Sequence, residues 1–205
     1  MSARDDDRPL DAGDLAPDPV EQFSRWYEDA QEAGVPQPEA MGLATATPGG
    51  APSLRMVLLK AHGPRGFDFF TNLGSRKGHE LAANPSAALL FFWQPVGRQV
   101  RIEGSVTPVN RDEVESYARS RSPDSRLSAL ASPQSRPVES REWLEERVES
   151  LRRRHGEDTP VGDDWGGFRL KPEAFEFWQN RSHRLHDRFR YLPLGAGWRI
   201  ERLGP

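Results

Sequence analysis

Two clusters in this sequence carry side chains able to hold charged or planar ligands. The first is Arg76-Lys77, directly after Ser75. Ser75 is suited to cap a helix over roughly 76–83 that Asn84-Pro85 would end, which puts both cations in its first turn. Cations there oppose the helix dipole, at a cost of a few tenths to about 1 kcal/mol each. A bound phosphate would remove the conflict, because free backbone N–H groups, the dipole and two positive side chains would converge on it. A solvated basic helix start is the alternative. The second cluster runs from Trp178 to Arg188 and holds three arginines and two histidines within eight residues. In an extended conformation Arg184, His186 and Arg188 would share one side, with Leu185 and Asp187 on the other. Two guanidinium groups flanking an imidazole suit an anionic or electron-rich planar ligand. A surface strand laced with salt bridges is the bland reading of the same residues.

The elements that must position these clusters are short and mostly extended. The apolar runs 56–59 and 67–70 flank His62-Gly63-Pro64-Arg65-Gly66 and read as a hairpin with a longer loop, followed by a turn at Asn72-Leu73-Gly74. Upstream, Asp18 caps a helix whose apolar face is Phe23, Trp26, Tyr27 and Ala30, ended by Gly34 and Pro36, and Met41 to Thr47 reads as a strand. Ala87 to Trp93 is a continuous apolar run, read as a strand buried on both sides at the centre of the sheet. Residues 98–107 alternate, with Val100, Ile102 and Val106 facing the core.

A second capping box, Asn110 with Glu113, opens a helix carrying Val114, Tyr117 and Ala118 that fades at Ser122-Pro123. The Ser/Arg/Pro-rich segment 119–139 reads as a flexible linker. Ser140 caps a further helix with Trp143, Leu144, Val148 and Leu151 inward, and Arg152 to Arg154 suit the dipole of its last turn. Strands follow at 165–170, 174–179, 185–191 and 198–203, with turns at Lys171-Pro172 and 193–197. About seven or eight strands are expected in all. Hairpin connections with helices at the edges predict a mainly β fold, a barrel with peripheral helices. Residues 1–17, rich in Asp, Pro and Gly, are expected to be a disordered tail, and 18–205 a single domain.

Composition narrows the functions. The 205 residues carry 28 basic and 31 acidic side chains, a net charge of −3, which gives no global basic field and speaks against nucleic acid. There is no cysteine, so thiolate chemistry is excluded, and the five histidines form no H-E-x-x-H metal motif. Redox chemistry would need a borrowed cofactor. No apolar run is long enough for a membrane span and the N-terminus has no apolar leader, so a cytoplasmic protein is expected. No G-x-G-x-x-G opens a helix after a strand, against a Rossmann site.

The chain resembles the pyridoxine/pyridoxamine 5′-phosphate oxidases, FMN-binding split-barrel proteins that act as homodimers. The likeness lies in Arg55-Met-Val-Leu-Leu-Lys60 with Phe70-Thr-Asn-Leu-Gly-Ser-Arg-Lys77, in Ser132-Pro-Gln134-Ser135, and in Trp178 with Arg184-Leu-His-Asp-Arg-Phe189. With Gln99, Tyr117, Arg121 and Ser125 between them, it spans residues 18–205. The resemblance implies FMN phosphate contacts at Arg55, Arg76 and Lys77, with Gln134 and Ser135 reaching across from the second subunit. It implies that Met56, Val57, Leu58, Leu59 and Lys60, together with Phe70, Thr71, Gln99, Trp178 and Arg188, line the rest of the FMN site. Lys60, Tyr117, Arg121 and Ser125 would hold the substrate phosphate, and Arg184 and His186 would be catalytic, holding the pyridine ring over the flavin. The implied reaction passes hydride from C4′ of pyridoxine or pyridoxamine 5′-phosphate to FMN, with dioxygen as final acceptor, giving pyridoxal 5′-phosphate and hydrogen peroxide.

Three departures from the family pattern gather near the substrate. The tail lacks an Arg-Arg-x-Tyr-like segment, Ser125-Arg-Leu-Ser-Ala-Leu130 stands for the usual Ser-Gln-Ile-Gly-Ala-Trp, and Phe70 replaces a common Tyr. Two other readings therefore stay open: an FMN oxidase of a related pathway such as phenazine biosynthesis, and a non-catalytic flavin- or pyridoxal-phosphate-binding protein.

Overall fold

Alternating apolar strands with tight connections can bury their inner faces only by curling a sheet around a core, and this chain does so. The computed structural model describes residues 9–156 and 158–205. In chain order the elements are α1 (Pro19–Glu32), β1 (Ala40–Ala46), β2 (Pro52–Leu58), β3 (Ala61–Gly63), β4 (Gly66–Asn72), α2 (Arg76–Ala83), β5 (Ser86–Trp93) and β6 (Arg98–Pro108). They continue with α3 (Arg111–Ser120), α4 (Pro123–Ala131), α5 (Arg141–His155), β7 (Trp165–Gln179), β8 (Asp187–Leu194) and β9 (Gly197–Arg202). Among the described residues nine strands form one antiparallel sheet in the order β2-β1-β5-β6-β7-β4-β3, with β8 on β7 and β9 on β8. The expected mainly β barrel with peripheral helices is what the chain forms, curled into a half-barrel.

β7 organises the sheet. Its first half pairs with β4 and its second half with β8, while β6 runs along both. Sequence reading breaks this strand at Lys171-Pro172, but the chain passes through as a bulge. Gly104 pairs with Pro172 and Glu103 with Ala174, leaving Glu173 as the extra residue. A Cβ on Gly104 would stand 2.0 Å from the Lys171 carbonyl oxygen, so only glycine lets the two strands close here.

The core is aromatic. Phe23 of α1 meets Phe67 and Phe91 edge-on, each at 4.9 Å, and Trp26 meets Phe177 at 5.2 Å. β5 does not lie buried on both sides as its apolar run suggests: Leu90 is 37% and Phe92 57% exposed, while Leu89 and Phe91 are buried. The alternation is that of a one-sided strand whose outer face is also apolar, and β7, not β5, is central.

Two segments read as unstructured are ordered. The expected disorder at 1–8 lies outside the described residues, but from residue 9 the chain packs: Leu10, Leu15 and Ala16 are buried. Asp187 accepts a hydrogen bond from the Leu10 N–H at 3.0 Å, and the Tyr191 hydroxyl donates to the Ala16 carbonyl at 2.8 Å, so partners far along the chain supply the order. In the 119–139 segment, Ser122-Pro123 ends one helix and begins the next. The Ser122 hydroxyl caps α4 by accepting from the Ser125 N–H, with Pro123 at the first helical position. The apolar side chains of α5 are only half-buried, against α4.

Candidate functional site

A cleft of about 650 Å³ opens between the β2 edge, β4, α3 and α4. Local chemistry explains each wall. β4 presents Phe70 and Thr71, and the end of β2 with its following residues presents Met56, Val57, Leu58 and Lys60. α3 begins at its Asn110 cap and so aims Tyr117 inward, with Arg121 just past its end; α4 adds Ser125. α2 begins at Ser75, whose hydroxyl accepts from the Gly78 N–H, and brings Lys77 to the floor.

Aromatic rings form one wall. Phe70 and Tyr117 stack at 4.2 Å and Tyr117 and Trp165 at 5.7 Å, with interplanar angles of 19° and 22°. Arg121 lies 4.8 Å over the Trp165 ring, and the Lys60 ammonium 5.9 Å over that of Tyr117.

The floor is cationic. Lys77 is only 9% exposed, and its ammonium donates to Gln134 Oε1 at 2.7 Å and to Thr71 Oγ1 at 3.0 Å. All its hydrogen-bond acceptors among the described residues, Ser75 included, are neutral. Burial pushes the Lys77 pKa down, and the neighbouring Arg55 charge adds to this. A buried cation without an anion partner is costly, and an anionic ligand would relieve it.

Arg55 and Arg76 stand beside this floor and do not line the cleft. Both are held by Glu80, which is 5% exposed: Arg76 Nε donates to it at 2.8 Å, and Arg55 approaches within 3.4 Å while also donating to the Leu43 carbonyl and Thr45. The Ser53 and Thr45 hydroxyls also donate to the Glu80 carboxylate. These two bonds, with Arg76, hold its pKa down at about 2 against the cost of burial. Leu59 is buried in the core, and Ser135, exposed and with φ of 70°, is not among the residues that line the cleft.

The remaining expected site residues gather elsewhere. Gln99, Trp178 and Arg188 pair in register across β6, β7 and β8 and so share a face. The His186 ring packs on Trp178 at 4.7 Å. Extended alternation does not explain this group, because Ser182–Arg184 form a 3-10 turn with His183 and Arg184 at positive φ, and β8 begins only at Asp187. Arg184 is exposed at the turn. Phe70 pairs with Gly167, and Trp178 lies eleven residues further along β7, about 36 Å at 3.3 Å per residue. The expected site residues therefore fall in two separate groups on one chain, one at the cleft and one at the far end of β7.

The resemblance puts Gln134 across a subunit boundary, whereas the structure seats it on Lys77 of its own chain. Sequence reasoning also missed two residues. Trp165 closes the ring stack, and only its place opposite Asn72 in the β4–β7 ladder reveals it. Glu80 had a signal, its spacing of four from Arg76 on the predicted helix.

Residues 27–155 match the family described as pyridoxamine 5′-phosphate oxidase, and residues 165–205 match the one described as pyridoxine 5′-phosphate oxidase C-terminal dimerisation region. A pyridoxine/pyridoxamine 5′-phosphate oxidase of Bordetella petrii is 55% identical over 93% of this chain and 90% of its own. Among solved structures, PhzG from Burkholderia lata in complex with tetrahydrophenazine-1-carboxylic acid has a TM-score of 0.91 at 33% identity, covering 98% of this chain and 100% of that one. A pyridoxamine 5′-phosphate oxidase-related, FMN binding protein from Nostoc punctiforme shares the fold, with a TM-score of 0.72 at 16% identity over 93% of this chain and 99% of that one.

Proposed function

The chain belongs to the pyridoxamine 5′-phosphate oxidase family, and from that premise we propose that it is a homodimeric FMN-dependent oxidase converting pyridoxine or pyridoxamine 5′-phosphate to pyridoxal 5′-phosphate, with dioxygen as acceptor and hydrogen peroxide as by-product. The observation that carries this reading is the buried ammonium of Lys77, bonded only to neutral acceptors among the described residues, at the start of a helix with two arginines beside it. That donor set fits the phosphate of FMN.

FMN, when bound, supplies the hydride acceptor and the route for electrons to dioxygen. Lys77, Arg55 and Arg76 hold its phosphate, Gln134 fixes the Lys77 ammonium, and Thr71 with Met56, Val57 and Leu58 lines its flank. Lys60, Tyr117, Arg121 and Ser125 bind the substrate phosphate at the other end of the cleft. The partner subunit's Gln99, Trp178 and Arg188 complete the flavin site, and the partner's Arg184 and His186 orient the pyridine ring. The dimerisation-region match over 165–205 supports this completion, since that segment carries most of the second half-site. Positioning of two rings is then the protein's main contribution to rate.

A phenazine substrate is the second reading, favoured by the likeness to PhzG. It leaves Lys60, Tyr117 and Arg121 without a phosphate to bind, and the higher identity to the Bordetella oxidase goes the other way. The test is an anaerobic titration of the purified protein with pyridoxamine 5′-phosphate, following the flavin band near about 450 nm. Bleaching that recovers in air is expected. A yellow protein that does not bleach would move the substrate to phenazines or the role to a carrier, and a protein that FMN cannot reconstitute would sink the proposal.

A further inference from the structure

The Arg181 backbone N–H can only donate a hydrogen bond, and it points at Nδ1 of His186 at 3.1 Å. Nδ1 must therefore carry the lone pair, which leaves the proton of the neutral ring on Nε2. We infer that the Arg181 backbone locks neutral His186 as the Nε2–H tautomer, so that its outer nitrogen offers a hydrogen-bond donor and not a base.

The fold around the ring serves this one arrangement. His183 and Arg184 both adopt left-handed backbone, with φ of 57° and 64°, and the Leu185 N–H closes the turn on the Ser182 carbonyl at 3.2 Å. That reversal is what returns residue 186 to the N–H of residue 181. Non-glycine residues pay for such conformations, so a turn with two in succession is held by its surroundings. Trp178 packs on the ring from β7. The next residue, Asp187, is buried and fixed by the Leu10 N–H at 3.0 Å and by Arg202 at 2.6 Å. The imidazole is thus set in both orientation and tautomer before any ligand arrives.

Resting on the proposed oxidase reading, the consequence concerns the substrate's pyridine ring. Nε2–H would donate to an electron-rich substituent on that ring, holding and polarising it. The proton that the C4′ amine or hydroxyl gives up would not go to the resting imidazole, which has no free lone pair on its outward side. Arg181 acts through His186 and is a positioning residue.

The decisive experiment is a two-bond proton–nitrogen correlation spectrum of the full chain labelled with nitrogen-15 histidine, recorded about two units above the ordinary histidine pKa. The His186 signals are identified by their loss in His186→Asn. A protonated-type Nε2 with a lone-pair-type Nδ1 is expected. The opposite pattern, or an averaged one, overturns the inference. No substrate is used, so this result is independent of the oxidase assignment. As a second arm, His186→Gln keeps an amide donor near the Nε2 position, while His186→Asn does not reach it. His186→Asn should lower kcat about 100-fold, and His186→Gln should recover about tenfold of that with flavin affinity unchanged. Equal losses in the two variants would refute the donor role.

Discussion

The side-chain oxygen of Gln134 accepts a hydrogen bond from the Lys77 ammonium at 2.7 Å within a single chain. The segment after α4 thus closes over its own cleft, and the other residues assigned to the flavin site under the proposed function stand at the far end of β7. If the second half-site comes from a partner, two inactive variants should complement. Lys60→Ala damages one half and Arg184→Ala the other. Co-expressed with different tags, they should recover about a quarter of wild-type activity, because half of the dimers are mixed and each mixed dimer has one intact site. Activity no greater than that of the separate variants would place both halves in one chain.

The Tyr117 ring is stacked on Phe70 and Trp165, so its hydroxyl and its ring can be separated by mutation. Tyr117→Phe keeps the stack and should raise KM for the phosphorylated substrate about tenfold, the worth of one hydrogen bond to a charged group, with the melting temperature unchanged. Tyr117→Ala should add a stability loss of about 1 kcal/mol. An unchanged KM in Tyr117→Phe would take the hydroxyl out of the phosphate site.

Glu80 neutralises Arg55 and Arg76 before a ligand binds. Its pKa is held at about 2 against 4.5 when free, so its contribution to stability is fully present above about pH 4.5 and is lost as pH falls through about 2. Glu80→Gln should be less stable at neutral pH and should lose less stability on acidification. Because phosphate then becomes the main anion available to the two arginines, inorganic phosphate should raise the melting temperature more in Glu80→Gln than in wild type. Equal shifts in thermal denaturation would disprove the link.

Local chemistry was legible, and chemistry completed from far along the chain was not. The α2 start at Ser75 and the α3 start at Asn110 were readable because a cap needs only its own first turn. The inward face of β6 was readable from its period of two. The passage of β7 through Pro172 was hidden, since it depends on Gly104 in another strand. The order of Leu10 was hidden for the same reason, its partner being Asp187. Ser122-Pro123 was ambiguous in itself, as one dipeptide served both to stop α3 and to start α4. The expected site residues came from resemblance, whereas their separation into two groups is a property of sheet register that no local pattern carries.

His62 should make stability depend on pH near neutrality, because burial lowers its pKa. Its ring lies against Phe23 at 5.0 Å and Tyr27 at 5.4 Å, with Ser24 Oγ 3.1 Å from Nε2. Burial pushes its pKa below 6.5, with Glu28 partly opposing. Below about pH 6.5 the unfolded chain takes up a proton that the folded chain resists, so stability falls as pH is lowered. His62→Gln removes that term and should flatten the decline in melting temperature between about pH 7 and 5. Parallel declines in the two proteins would show that His62 does not contribute.

The outer face of the sheet offers the surface that a second copy would cover. Leu54 is 70%, Met56 67% and Phe92 57% exposed. Met56 and Leu90 both pair with Gly42 of β1, where a Cβ would already touch Leu54 and Leu90, so the missing side chain lets the apolar surface run flat from β2 to β5. Phe92 then pairs with Gln99, joining this patch to the row that carries Trp178 and Arg188. An apolar patch of this kind marks an interaction surface, and on the proposed homodimeric reading its continuity with the row that carries Trp178 and Arg188 would let the same docking event complete the cleft. Phe92→Glu would bury a charge in that contact. It should yield a monomer by sedimentation whose FMN affinity is reduced at least about tenfold, because on the proposed homodimeric reading the partner's flavin contacts would be lost. A Phe92→Glu dimer that binds FMN normally would mean that the face is not the interface, and that the two half-sites must be joined in another way.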